Sequence, residues 1–241
     1  MRLHDFRVLT FDCYGTLIDW ENGIWAALQP LVAKRPTPLD RDKALEEFGR
    51  HETEQQSETP QLRYRDLLAV VHGRLAAAWN VPASEEEHRR FGQSIGDWPA
   101  FPDSAEALAY LKRHYQLVIL SNVDRDSFGL SNARLGVAFD AIYTAEDVGS
   151  YKPDRRNFAY MLGALSERGF GRSDILHTAQ SLFHDHVPAK EFGLASAWID
   201  RRHEQAGWGA TPPVAGARYD FRFDSLGAMA QAHASETRPP A

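Results

Sequence analysis

The stretch Val8-Leu9-Thr10-Phe11-Asp12-Cys13-Tyr14-Gly15-Thr16-Leu17-Ile18-Asp19 decides how this chain is read. An apolar run of strand type ends in a carboxylate, and a Gly-Thr turn follows. In open α/β sheets ligands bind at the carboxyl ends of strands, which places Asp12 where chemistry is done. Tyr14, two residues on, restricts which chemistry that is.

Further strand-like runs are predicted at Gln116–Leu120, Ala141–Tyr143, Ile175–Ala179, Ala195–Ile199 and Phe221–Phe223. Helical stretches at Ser104–Arg113, Arg155–Ser166 and Val187–Phe192 lie between them, so the pattern is that of βαβ units around a parallel sheet. Residues 20–99 break the alternation. Asn22–Ala33, Arg41–Glu54, Leu62–Trp79 and Ser84–Gly92 have helical periodicity and are joined by Pro/Thr/Ser-rich links. The expected fold is therefore α/β, with a Rossmann-like core (1–19 and 100–241) and an α-helical cap (20–99) inserted after the first strand. Arg201–Arg218 reads as a Gly/Pro-rich loop and His233–Ala241 as a frayed tail.

At 241 residues, 43% of them hydrophobic, the chain can bury a full core. A net charge of −6 argues against a nucleic-acid partner. The one cysteine, Cys13, excludes an internal disulfide, and no apolar run reaches the ~20 residues of a membrane helix. With no signal-peptide pattern before the first strand, a cytoplasmic protein with no membrane partner is expected. Alternation along the strand turns Cys13 away from the Asp12 side, so it is read as core.

Three more segments fall at predicted sheet edges: Leu120-Ser121-Asn122, Tyr151-Lys152-Pro153-Asp154, and the loop Gln180-Ser181-Leu182-Phe183-His184-Asp185-His186. Together with Asp12-x-Tyr14-Gly15-Thr16-Leu17, their order resembles the haloacid dehalogenase superfamily over about residues 6–200. Tyr14 and the Tyr-Lys-Pro-Asp form resemble its (S)-2-haloacid dehalogenase branch. The resemblance implies Asp12 as nucleophile, with Thr16, Ser121 and Asn122 as polar supports of its carboxylate and of the substrate. It makes Lys152 the cation that holds the site's anions and Asp185 the residue that positions or activates water. It also implies a homodimer, which the sequence leaves open.

The residues themselves fit that division of labour. An aspartate can form an ester that water then opens, and a nearby lysine favours its ionised form. Similar phosphatases carry an acid where Tyr14 stands, to protonate an alkoxide leaving group; a halide needs no such proton. Gln180 stands where they have an acidic metal ligand, and magnesium wants carboxylates. No metal and no cofactor are expected.

The expected reaction is hydrolytic dehalogenation of a small 2-haloalkanoic acid through an aspartyl ester. A magnesium-dependent phosphatase, a catalytically silent anion-binding protein, and attack on a strained ring carbon are the alternatives. Leu182 and Phe158 depart from the asparagine and tyrosine of many dehalogenases, while His184 and His186 bracket Asp185 as candidate bases for water. For a substrate carboxylate, Arg63 or Arg65 is the candidate cation. Trp98 and Phe101 are read as an apolar wall or as hinge packing.

Overall fold

The computed structural model describes residues 1–205 and 207–236. Val8–Phe11 (β1) is buried along its whole length, as a parallel strand covered on both faces should be. Four helices follow: α1 (Trp20–Val32), α2 (Arg41–Glu58), α3 (Tyr64–Ala78) and α4 (Glu85–Gln93). Asp19 caps α1 by accepting from the Asn22 amide, and Ser84 forms a capping box with Glu87 on α4. The chain leaves the sheet and returns to it side by side. The Asp19 amide donates to Pro99 O at 2.8 Å, and Ile18 bridges to Ala100.

The remaining elements alternate. They are α5 (Ser104–Leu111), β2 (Gln116–Ser121), α6 (Arg125–Leu135), β3 (Ala141–Thr144), α7 (Ala145–Val148), α8 (Arg155–Glu167), β4 (Ile175–Ala179), α9 (Val187–Glu191), β5 (Ala195–Ile199), β6 (Phe221–Phe223) and α10 (Leu226–Glu236). Among the described residues they form one six-stranded sheet, ordered β3-β2-β1-β4-β5-β6, with every pairing parallel. Strand order reverses beside β1: β2 and β3 build outward on one side, and β4 opens the other. That reversal puts the crevice at the tip of β1, over Asp12.

The fold has the α/β, Rossmann-like class expected from the alternation, and the predicted strands stand within a residue at each end. The tail is the exception. Residues 233–236 are helical because α10 is tied down, with Glu236 accepting from the amides of Leu3 and His4 at 3.2 Å each. The rest of the predicted tail lies outside the described residues. No helix among the described residues is long and apolar enough to cross a membrane.

Candidate active site

Where β1 ends, Gly15 turns the chain with φ +88°, a conformation that glycine alone adopts without strain. A Cβ there would lie 3.0 Å from the Trp20 indole nitrogen and 3.2 Å from Gln180 Oε1. This turn brings Thr16 back over Asp12. Thr16 Oγ1 donates to Asp12 Oδ2 at 2.9 Å and accepts from the Gln180 amide at 2.9 Å, which ties the β1 and β4 loops together.

The other Asp12 oxygen belongs to Lys152. Its ammonium donates to Asp12 Oδ1 at 2.9 Å, to Asp185 Oδ1 at 2.6 Å and to Leu120 O at 2.9 Å, using all three of its protons. The side chain is buried, and its backbone is clamped by Asn122, which gives and receives a hydrogen bond with Lys152 (2.9 and 2.6 Å). Asn122 therefore acts on the lysine's placement.

Burial pulls the ammonium's pKa down, but Asp12 and then Asp185 outweigh it and the value is raised. Burial raises the Asp12 carboxyl against the pull of Lys152, and the Asp185 charge adds to the rise. Asp185 goes the other way. Burial is overcome by Lys152 and by His177, which holds it well below the usual carboxylate range. The lysine stays charged and Asp185 ionised, with Asp12 the weaker acid of the two.

His177, inside β4, is a further member of this cluster. Its Nε2 bonds Asp185 Oδ1 at 2.9 Å and its Nδ1 bonds Thr10 Oγ1 at 2.8 Å. Since an ionised Asp185 only accepts, Nε2 donates, and in the neutral ring Nδ1 accepts from the threonine. An apolar–polar count along a fully buried strand treats such a histidine as core, which is why it carried no signal.

The loop after β4 closes into a π-helical turn over Leu182–His186. It separates the two flanking histidines. His184 lines the cavity beside Asp185, with Nδ1 on Ser181 Oγ at 3.0 Å and Nε2 buried without a partner. Burial lowers its pKa to about 4, so the ring is neutral. His186 is turned inward, bonded to Ser196 Oγ and Ala179 O at 3.1 and 3.0 Å, and does not reach the site.

Tyr14 lines the cavity with its ring and sends its hydroxyl away, to Ser131 Oγ at 2.9 Å. Burial lifts that hydroxyl's pKa well above its ordinary value, so no acid stands beside Asp12 at this place. Trp98 lies behind Tyr14, edge-on at 5.6 Å, and packs on Gly23 of α1. Of its two readings, hinge packing fits and the cavity wall does not. Trp20 supplies that wall instead. Ser121 is buried at the tip of β2 with its hydroxyl unpartnered.

Arg63 and Arg65 do not face the cavity. Arg63 pairs with Glu146 at 2.8 Å and lies 3.8 Å from Asp126, and Arg65 pairs with Asp126 at 3.5 Å, all with substantial exposure. Acidic residues at the starts of α6 and α7 draw both guanidinium groups outward. Besides Trp20 of α1, the helical segment sends Glu52 and Gln56 from α2 and Tyr64 from α3 into the cavity. Tyr64 donates its hydroxyl to Glu52 Oε1 at 2.5 Å. Burial raises the Glu52 carboxyl to about 7, a rise that the Tyr64 hydrogen bond opposes and the Asp12 charge reinforces.

A sequence signal for Glu52 existed. Leu45, Phe48, Glu52 and Gln55 follow helical spacing on one buried face of α2, so the acid continues an apolar stripe.

The model of the haloacid dehalogenase-like hydrolase family matches residues 6–177. The (S)-2-haloacid dehalogenase of Pseudomonas putida is 27% identical over 212 residues, spanning 83% of this chain and 87% of its own length. That of Pseudomonas sp. strain YL is 28% identical over 209 residues, 80% of this chain and 82% of its length.

Among solved structures, the L-2-haloacid dehalogenase from Xanthobacter autotrophicus with chloropropionic acid covalently bound aligns with TM-score 0.76. It is 18% identical, over 94% of this chain and 97% of that one. The Bacillus subtilis hydrolase YfnB, solved with magnesium, aligns with TM-score 0.74 at 17% identity, over 97% and 99%. The fold is thus shared with an L-2-haloacid dehalogenase and with a protein solved with magnesium bound. With the family match covering most of the chain and the carboxylate–lysine–carboxylate core in place, this protein belongs to the haloacid dehalogenase-like hydrolases.

Proposed function

We propose that this protein hydrolyses the carbon–halogen bond of a small 2-haloalkanoic acid through an Asp12 ester, without a metal ion. The observation that carries the reading is the Lys152 ammonium bridging Asp12 and Asp185, with a tyrosine whose hydroxyl is turned away to Ser131 two residues after the nucleophile. The names of the relatives point the same way.

An Asp12 oxygen attacks the carbon bearing the halogen, and the C–X electron pair leaves as halide. Water then adds to the Asp12 ester carbonyl, and collapse expels the 2-hydroxy acid while restoring the carboxylate. Asp185 Oδ2 and His184 Nε2, both buried without partners at this wall, are the atoms suited to hold and deprotonate that water. A neutral His184 can take the proton, whereas a strongly ionised Asp185 is the weaker base.

With both arginines turned away, the substrate carboxylate falls to neutral donors. The Ser121 hydroxyl is unpartnered, and the amides of Cys13, Tyr14 and Asn122 make no hydrogen bond among the described residues. The cavity volume, about 30 Å³, restricts the closed site to a molecule of a few heavy atoms.

The donor set fits magnesium poorly. Lys152 takes one oxygen of each carboxylate, and Gln180, whose Oε1 accepts from Thr211, is neutral. Among the described residues no group of three or more His, Cys, Asp or Glu side chains is placed to hold a metal.

Halide release from chloroacetate and 2-chloropropionate, with and without chelator, tests the reading. Release should be indifferent to chelation, and Asp12→Asn should abolish it, a fall of at least about 10³-fold for a lost nucleophile. Chelator-sensitive turnover of phosphate esters in place of halide release would favour phosphatase chemistry instead.

A further inference from the structure

The nucleophile side of the cavity carries Lys152 against two carboxylates, Asp12 and Asp185, an excess of negative charge with no further cation at the wall. Facing it from α2 is a third carboxyl group, Glu52, which is 3% exposed. Its Oε1 takes the Tyr64 hydroxyl, while Oε2 makes no hydrogen bond among the described residues. Around it stand Tyr64 from α3, Asp12 and Tyr14 from the β1 loop, Tyr151 and Lys152 before α8, and His184 after β4. None offers a free cation: Lys152 is fully engaged, and the tyrosines and the histidine are neutral. An ionised Glu52 would be a further uncompensated charge in a buried pocket, so burial raises its carboxyl to about 7, and below that pH it is a neutral acid that can donate at Oε2.

Displacement at carbon needs the leaving group opposite the nucleophile. Asp12 enters the cavity from the end of β1 and Glu52 from α2, so the two carboxyl groups line it from different elements.

We propose that Glu52 is a specificity-determining residue of this cleft: its neutral carboxyl, held by Tyr64, donates a hydrogen bond to the departing halide and favours fluoride, the strongest hydrogen-bond acceptor among the halides, over chloride and bromide. This rests on the dehalogenase reading. Asp12 forms the C–O bond as the C–F bond breaks, and the fluoride leaves with its electron pair, hydrogen-bonded to Glu52, which keeps its proton.

The test measures kcat/KM for fluoro-, chloro- and bromoacetate in the wild type, Glu52→Gln and Glu52→Ala, with thermal melting to confirm folding. In the wild type the fluoro-to-chloro ratio should fall at least tenfold as pH rises from 6 to 9, because Glu52 loses its donor proton. In Glu52→Gln, which keeps a donor and cannot ionise, the ratio should be flat with pH. In Glu52→Ala it should be low throughout. A ratio that moves less than twofold in folded Glu52→Ala, with haloacetates still turned over, overturns the role of Glu52 alone. Absence of halide release by the wild type from all three substrates overturns the dehalogenase reading and this proposal with it.

Discussion

On the sheet side of the cleft both oxygens of Asp12 and all three protons of Lys152 are bonded within 3 Å. On the helical side Glu52 has the Tyr64 hydroxyl on one oxygen and, among the described residues, no hydrogen bond on the other. The first wall is a closed electrostatic unit whose members are fixed by strand tips. The second is a helix face that holds one polar group in reserve. A reaction centre tolerates little displacement, and a substrate-selecting wall has to leave an atom free.

Breaking the closed unit should have the larger effect. Lys152→Met removes the cation from two buried carboxylates, and stranding charges in this way costs about 3–5 kcal/mol at neutral pH. The pH dependence has a definite sign. Asp185 is depressed in the folded protein, so its contribution is present above the ordinary carboxylate pKa and is lost as pH falls toward the folded value. Urea unfolding of wild type and Lys152→Met should therefore converge as pH is lowered from 7 to 3. A difference below about 1 kcal/mol at pH 7 would show that the triad does not act as one charge-balanced unit.

The helical wall should answer in the opposite direction, and less strongly. Glu52 is raised to about 7 by burial, so between the ordinary glutamate value and pH 7 the unfolded chain gives up a proton that the folded chain retains. Wild-type stability should fall with pH through that window, while Glu52→Gln, which still accepts from Tyr64, should not follow it. By pH 8 the variant should be the more stable, by up to about 3 kcal/mol, with little difference at pH 4. Parallel curves for the two proteins would mean that Glu52 titrates like an exposed glutamate.

The same contrast explains what could be read from the sequence. Asp12 and Ser121 stand at strand ends and Lys152 stands in the Tyr-Lys-Pro-Asp segment just before α8, so local pattern places them at the sheet edge, and the structure brings them together there. His177 sits within a strand, and its contact with Asp185 depends on the π-helical turn that follows, which no local propensity signals. Glu52 and Tyr64 are 12 residues apart and meet only because α2 packs on α3. Arg63 and Arg65 offer only charge as a sequence signal. A helix start says nothing about whether a long side chain finds substrate on one side or a carboxylate on the other, and here Asp126 and Glu146 decide it.

That last placement gives the smallest expected effect. Arg63 and Arg65 are 45% and 39% exposed at the side chain, and Asp126 is 68% exposed, so water and salt screen these pairs. Exposed pairs of this kind contribute roughly 0–1 kcal/mol each. Arg63→Ala and Arg65→Ala should leave the unfolding midpoint nearly unchanged, and KM should stay within about twofold, since neither side chain touches the cavity. The Arg65 amide, which donates to Asp124 at 3.3 Å, survives either substitution and keeps the start of α3 against the sheet. A tenfold rise in KM for a haloacid in either variant, with kcat unchanged, would mean that the arginine swings inward to bind the carboxylate. The helical wall would then supply the cation that this closed arrangement leaves outside.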